Sequence, residues 1–368
     1  MTDGSAFADL DARPADGRGR VLITGGAGFI GTNLASRLLD EGRHVVVLDT
    51  LSRAGVDENA RWLRETYGGR VELLVGDVRD ARVVRRALRD VSEVYHFAAQ
   101  VAVTTSLDQP LHDFDVNARG TLTLLEAIRR SKRPPSLVFT STNKVYGALE
   151  DVPLTRAGLR YRPVDADLNE HGVSEQRPLA FHSPYGCSKG AADQYVLDYA
   201  RTFALRATVL RMSCIYGPHQ HGNEDQGWVA HFLMRARARQ PLTIYGDGCQ
   251  VRDVLFVDDL MHAMTAAQAC MPRVAGKAFN IGGGPDRAIS LLELLGALER
   301  LLGRAASYTL SAWRAADQRY YVSDCRRFEA ATGWRPRVSV DQGLAQLQIW
   351  LESARAARPA VAPLAVSS

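Results

Sequence analysis

The chain has 368 residues, 46% of them apolar and 23% charged, and its 45 basic and 41 acidic side chains leave a net charge of +4. That composition excludes a disordered or collagen-like chain, and the length allows one large domain or two modest ones. The basic residues are scattered, no stretch approaches ~18 consecutive apolar residues, and the five cysteines stand apart without a Cys-x-x-Cys pair, so no nucleic acid, membrane span, disulfide framework or metal centre is expected.

Residues 1–19, rich in Gly, Ala, Asp and Arg, read as a disordered lead-in. They carry acidic residues where an export signal would need a basic end and an apolar run, so a cytoplasmic protein is expected. Order begins at Val21. Short apolar runs then alternate with amphipathic helical stretches: VLIT, a helix from about Ile30 to Glu41, HVVVLD, a helix near Glu58 to Tyr67, VELLVGD, a helix near Arg82 to Leu88, EVYHFAA, a helix from about Phe114 to Arg130, and SLVFTST. Apolar runs of this length joined by helices are parallel strands buried on both faces. The expected fold is α/β, a doubly wound parallel Rossmann sheet. Between Gly147 and Pro184 the periodicity fails, which suggests an excursion tied to a functional site. A long helix from about Tyr185 to Phe203 and the strand ATVLR follow. The remaining helices (about Val229 to Arg239, Asp259 to Met271, Leu291 to Leu302, Gln342 to Ser353) and short strands suggest a smaller mixed C-terminal substrate lobe. The expected division is a dinucleotide domain over 20–211, with 247–270 returning to it, a lobe over mainly 212–354, and a loose tail over 355–368.

The first strand runs into TGGAGFIG, placing Gly25, Gly28 and Gly31 where a helix opens. The first glycine permits the turn, the second admits a pyrophosphate, and the third lets helix and strand pack closely. Free N–H groups at the helix start face that phosphate. Asp49 ends the second strand, where a carboxylate takes the ribose 2′-hydroxyl of NAD and repels the 2′-phosphate of NADP. Arg53 nearby keeps NADP open as the alternative. Asp77 closes the third strand on the adenine side.

In SPYGCSKGAADQY, Tyr185 and Lys189 are four apart on one face of a helix. A tyrosine is a base near neutral pH only if its phenolate is stabilised, and a neighbouring ammonium is expected to do this. Only four of the 45 basic residues are lysines (Lys132, Lys144, Lys189, Lys277), so a lysine at a motif position carries weight. Thr142, at the carboxyl edge of the fifth strand, is placed to bond a substrate hydroxyl.

With these residues in place, TGGAGFIG, HFAAQ, VYG, YGCSK, CIYGP, VRDVLFVDD and FNIGGG make about residues 20–350 resemble the extended short-chain dehydrogenase/reductases, the NAD-dependent nucleotide-sugar epimerases and dehydratases. The resemblance implies that Gly25, Gly28, Phe29, Ile30, Gly31, Asp49, Asp77, Val78, Ala98 and Ala99 contact NAD, together with Tyr185 and Lys189. It implies catalysis by Thr142, Tyr185 and Lys189. Arg252, Arg314 and Asp317 would bind the nucleotide diphosphate and ribose of the substrate, with Asn143 beside Thr142. STNKVYG, FHSPYGCSKGAADQY, DQGWV, QVRDVL and ADQR are similar to the subgroup that epimerises C2 of CDP-linked deoxyhexoses. Dehydratases of the family carry Thr-Asp-Glu where this chain has Thr142, Asn143 and Lys144, so dehydration lacks its acid and base. Cys214 stands where most epimerases have an asparagine that donates to the diphosphate. A homo-oligomer, dimer or tetramer, is the family expectation.

Other candidates have plain readings too. Lys144 reads either as a site residue or as a solvated cation, His182 as a proton relay or a surface residue, and Trp228 as a partner for the base or as core packing. Cys187 points away from the face that Tyr185 and Lys189 share. The competing functions are a nucleotide-sugar 4-epimerase or 4-reductase, and a dinucleotide sensor without catalysis.

Overall fold

The structure, a computed structural model, describes residues 19–314 and 317–356. The lead-in, apart from Gly19, and the tail beyond 356 lie outside the described residues. Seven parallel strands form the main sheet in the spatial order 278–281, 207–212, 136–142, 91–96, 20–24, 45–49, 71–75. The chain therefore reverses direction across the sheet between Arg20–Thr24 and Val91–His96, and the crevice at such a switch point is where an α/β sheet binds its ligand. Val21, Leu22, Ile23, Val46, Val47 and Leu48 are fully buried, as expected of strands covered by helices on both faces.

Helices form where the amphipathic stretches were expected, with small shifts at the ends: Phe29–Asp40, Val56–Tyr67, Ala81–Ala87, Ser183–Thr202, Trp228–Arg237, Val257–Ala269, Leu291–Leu302 and Val340–Ala356. The stretch expected from Phe114 to Arg130 starts earlier, at Pro110, and contains a wide turn over Asp115–Arg119 before Gly120–Arg129. A turn widened in this way re-aims side chains and recurs at functional sites.

The second lobe is built on Val251–Phe256, which pairs with Ala288–Ser290, Tyr320–Tyr321 and Cys214–Tyr216. This corrects the expected return of 247–270 to the first domain. Its strand belongs to the small sheet, and only the helix Val257–Ala269 packs against the main sheet. The strand that rejoins the main sheet is Ala278–Ile281, beside Ala207–Met212. A buried apolar strand reads the same in either sheet, and pairing alone decides. The excursion 147–184 contains a hairpin, Leu154–Ala157 with Arg160–Pro163. Its residues are mostly exposed and polar, so no alternation marks it. It is fixed to the second lobe by the Arg160–Glu293 ion pair and by the Tyr161 N–H, which donates to the Cys249 carbonyl at 2.9 Å.

Candidate active site

A cleft of about 350 Å³ runs along the carboxyl edge of the main sheet. Gly25, Gly28, Phe29, Ile30, Gly31, Asp49, Asp77, Val78, Ala98, Ala99, Tyr185 and Lys189 all line it. Gly25 has φ +67°, and a Cβ there would stand 2.7 Å from the Ala98 nitrogen across the switch point. At Gly31 a Cβ would meet the Gly25 oxygen at 2.4 Å, so helix and loop touch only because Gly31 has no side chain. A Cβ on Gly28 has no neighbour within 4 Å except the Gly25 oxygen, and any side chain would occupy the cleft itself. The helix Phe29–Asp40 opens there without a side-chain cap, leaving its first N–H groups for an anion.

Asp49 is held by backbone donors, accepting from Leu51 N at 2.9 Å and Ala27 N at 3.1 Å, and it lines the cleft one strand from the glycine loop. Arg53, the residue that kept NADP open, turns its guanidinium to the Gln226 side chain instead. Asp77 is gripped by Arg79, which holds its carboxyl below the ordinary range. A bare cradle for an anion, a carboxylate at ribose distance along the chain, and an Arg53 committed to Gln226 fit NAD.

Sequence reasoning missed the opposite wall. His219, Gln220, His221 and Gln226 come from the second lobe and line the same cleft. Asn33 Nδ2 donates to the Pro218 carbonyl at 2.9 Å, Asn59 Nδ2 donates to that of His219 at 3.3 Å, and the Trp62 and His219 rings lie 4.4 Å apart. Apart from DQGWV, which contains Gln226, no local signal marks this segment, because its partners lie more than 150 residues away.

At the inner end, Tyr185 is buried, with Thr142 the neighbouring side chain that favours its phenolate. Burial and the Asp113 carboxylate push the phenol up to about 12, against that effect of Thr142. Lys189 does not supply the expected depression. Its ammonium donates to the Thr140 carbonyl at 2.6 Å and lies over the Phe139 ring, and burial lowers it to about 8. The packing reason is that Lys189 faces the strand backbone rather than the Tyr185 oxygen. Beneath the pair, Asn117 on the wide turn donates to Gln100 O at 3.0 Å and to Ser188 Oγ at 3.0 Å, and Ser188 donates to the buried Asp113. These residues also escaped sequence reasoning. Ser183, two residues before Tyr185, holds φ +66°, a strained conformation for serine at the start of this helix.

Thr142, Asn143, Arg252, Arg314 and Asp317 lie outside the cleft lining, and buried Asn143 and Arg252 with half-buried Asp317 form a polar group adjoining Thr142. Thr142 Oγ1 donates to Asn143 Oδ1 at 3.3 Å, and Asn143 Nδ2 donates to Gln318 Oε1 at 3.4 Å. Arg252 Nη2 donates to Asp317 Oδ1 at 2.7 Å, and Lys144 Nζ stands 3.7 Å from the same oxygen. Lys144 is therefore no solvated surface cation. Arg314 turns elsewhere, donating to Glu224 O at 3.0 Å with its guanidinium 3.9 Å over the Tyr245 ring. Trp228 packs on Phe232 and donates to Cys214 Sγ at 3.5 Å. His182 and Cys187 are exposed. Among the described residues no group of acidic, histidine and cysteine side chains could hold a metal ion, and no helix is long and apolar enough to cross a membrane.

A phosphate cradle at the switch point that leads to a buried Thr–Tyr pair defines an NAD-dependent enzyme of the epimerase type. The sequence model of the NAD dependent epimerase/dehydratase family matches residues 21–282, and the chain belongs to that family. It is 42% identical over 341 residues to CDP-paratose 2-epimerase of Salmonella typhi, covering 91% of this chain and 99% of the relative. Among solved structures it resembles the UDP-glucose 4-epimerase of Thermus thermophilus in complex with NAD (TM-score 0.75, 32% identity, 91% and 99% of the two chains). It also resembles the dTDP-glucose 4,6-dehydratase of Streptomyces venezuelae with NAD bound (TM-score 0.77, 31% identity, 92% and 98%).

Proposed function

We propose that this enzyme inverts C2 of a CDP-linked deoxyhexose by oxidising the sugar to a ketone and reducing it again on the other face. The observation that carries this reading is the buried pair of Tyr185, on the cleft wall, and Thr142, which favours its phenolate and is followed by uncharged Asn143 and cationic Lys144. Expulsion of water would need an acid and a base at those two positions. The 42% identity to a 2-epimerase supports the choice of C2.

Thr142 orients the sugar hydroxyl and Tyr185 accepts its proton as general base. With the phenol at about 12 almost none of it is ionised at neutral pH, so positive charge bound beside it must add to the help from Thr142 in favouring the phenolate. Bound NAD supplies a hydride acceptor that returns the same hydride, so no outside reductant is consumed. Lys189, anchored on the Thr140 carbonyl, fixes the helix carrying Tyr185 against the strand carrying Thr142 and presents the rest of its charge to the cofactor side. Arg252 and the neighbouring polar group hold the diphosphate, and Asp317 the nucleotide ribose.

A substrate deuterated at C2 is expected to turn over with a primary isotope effect and to retain its label at C2, while deuterium at C4 is silent. The opposite pattern rejects C2 chemistry and points to a 4-epimerase with the same dyad.

The apolar residues Leu107, Leu111 and Phe114, 50%, 82% and 53% exposed on the contacting helices Val103–Asp108 and Pro110–Phe114, support a homo-oligomer, a dimer or tetramer. Light scattering that reports a monomer overturns this. The widely separated cysteines support a reducing, cytoplasmic setting.

A further inference from the structure

Lys144 is one of only four lysines in a chain that otherwise uses arginine for its cations. It sits on the short turn Asn143–Tyr146, directly after the strand that ends in Thr142, and its backbone N–H donates to Thr142 Oγ1 at 3.3 Å. Its ammonium shares one Asp317 carboxylate oxygen with Arg252. Two cations thus converge on a single oxygen, where burial and Arg252 already hold Lys144 down to about 8. An anion entering beside them would be attracted by both charges at once, and burial strengthens that attraction.

We propose that Lys144 and Arg252 together take the β-phosphate of the nucleotide diphosphate, and that Lys144, by holding that phosphate beside Thr142, presents C2 of the sugar rather than C4. The proposal rests on the C2 reading above and supplies its structural cause. In a nucleotide sugar the β-phosphorus is joined to C2 through O1 and C1, three bonds in all. C4 is five bonds away, across the ring. A C2 hydroxyl reaches Thr142 and Tyr185 only when the phosphate lies next to them, and Lys144, two residues from Thr142, is the cation at that place. With C4 at the dyad the phosphate would lie a ring's width farther off and Lys144 would face uncharged sugar. The Asp317 oxygen between Lys144 and Arg252 marks where a phosphate oxygen would stand. A compact ammonium suits this gap beside the planar fork of Arg252, whose Nη atoms also donate to Val251 O, Gln318 O and Asp317.

The test compares CDP with CMP, which lacks the β-phosphate, by titration calorimetry on the NAD-loaded enzyme and its Lys144→Met variant. Lys144→Met is expected to weaken CDP binding about tenfold or more and to leave CMP within about twofold, so the preference for the diphosphate falls. Should Lys144→Met fail to fold, Lys144→Gln carries the same comparison, with thermal melting as the check of fold. A wild-type enzyme indifferent to the β-phosphate, or a variant that keeps the full wild-type preference, overturns the proposal. Product NMR separates the two levels: inversion at C2 with an unchanged CDP preference in the variant overturns the role of Lys144 alone. Inversion at C4 overturns the C2 reading and the selection by Lys144 with it.

Discussion

Lys189 donates to the carbonyl oxygen of Thr140 at 2.6 Å, and this bond, rather than one to tyrosine, joins the helix carrying Tyr185 to the fifth strand. The consequence is a division of labour. Thr142 is the protein group that favours the Tyr185 phenolate, while Lys189 sets the distance between helix and strand.

Tyr185→Phe is accordingly expected to keep the fold and the bound NAD and to lose about 10²–10⁴ in kcat, because the ring still packs while the general base is gone. Turnover within a few-fold of wild type, measured by NMR of the sugar product, would remove Tyr185 from the mechanism.

The same burial gives a pH signature. Lys189 is held at about 8 in the folded protein, against ~10.4 in an unfolded chain, so between those values the unfolded state binds more protons. Stability from this group therefore rises as pH increases from about 8 towards 10, and its burial penalty is fully present below 8. In urea denaturation of the cofactor-free protein, wild type should gain on Lys189→Met as the pH is raised through that window. Above ~10 the Tyr185 phenol works in the other direction, because its folded value of about 12 lies above that of a free tyrosine. A constant difference between the two proteins would show that Lys189 is not the group responsible.

Arg53 and Gln226 join the two walls of the cofactor cleft. Arg53→Ala, Gln226→Ala and the double variant should each release NAD several-fold faster than wild type, and by the same factor, since each removes one shared contact. Stopped-flow release and the NAD content of the purified proteins measure this without reference to turnover. Additive effects of the two substitutions would mean that the residues act separately.

Asp49 accepts two backbone N–H groups and keeps its carboxylate at the cleft. Replacing it with Ala should narrow the preference for NAD over NADP by about tenfold, as the repulsion of a 2′-phosphate disappears. Unchanged discrimination in binding titrations would place the ribose elsewhere.

By itself the sequence determined what depends on near neighbours. The glycine loop, Asp49, the buried parallel strands and the long helix bearing Tyr185 and Lys189 are each written in a few dozen consecutive residues, because strand burial, helix periodicity and left-handed turns are local demands. It could not decide where Lys189 points, since the helix face it shares with Tyr185 allows either the phenol or the strand carbonyl as partner. Nor could it assign Val251–Phe256 to the small sheet, detect the polar hairpin, or bring residues 219–226 over the cleft. Lys144, Arg252 and Asp317 meet across 65 to 173 residues of chain. Contacts of that separation have no periodic or motif signal. They exist only because the two lobes pack together, and that packing makes Lys144, which the sequence left as either a site residue or a solvated cation, a half-buried cation beside Thr142.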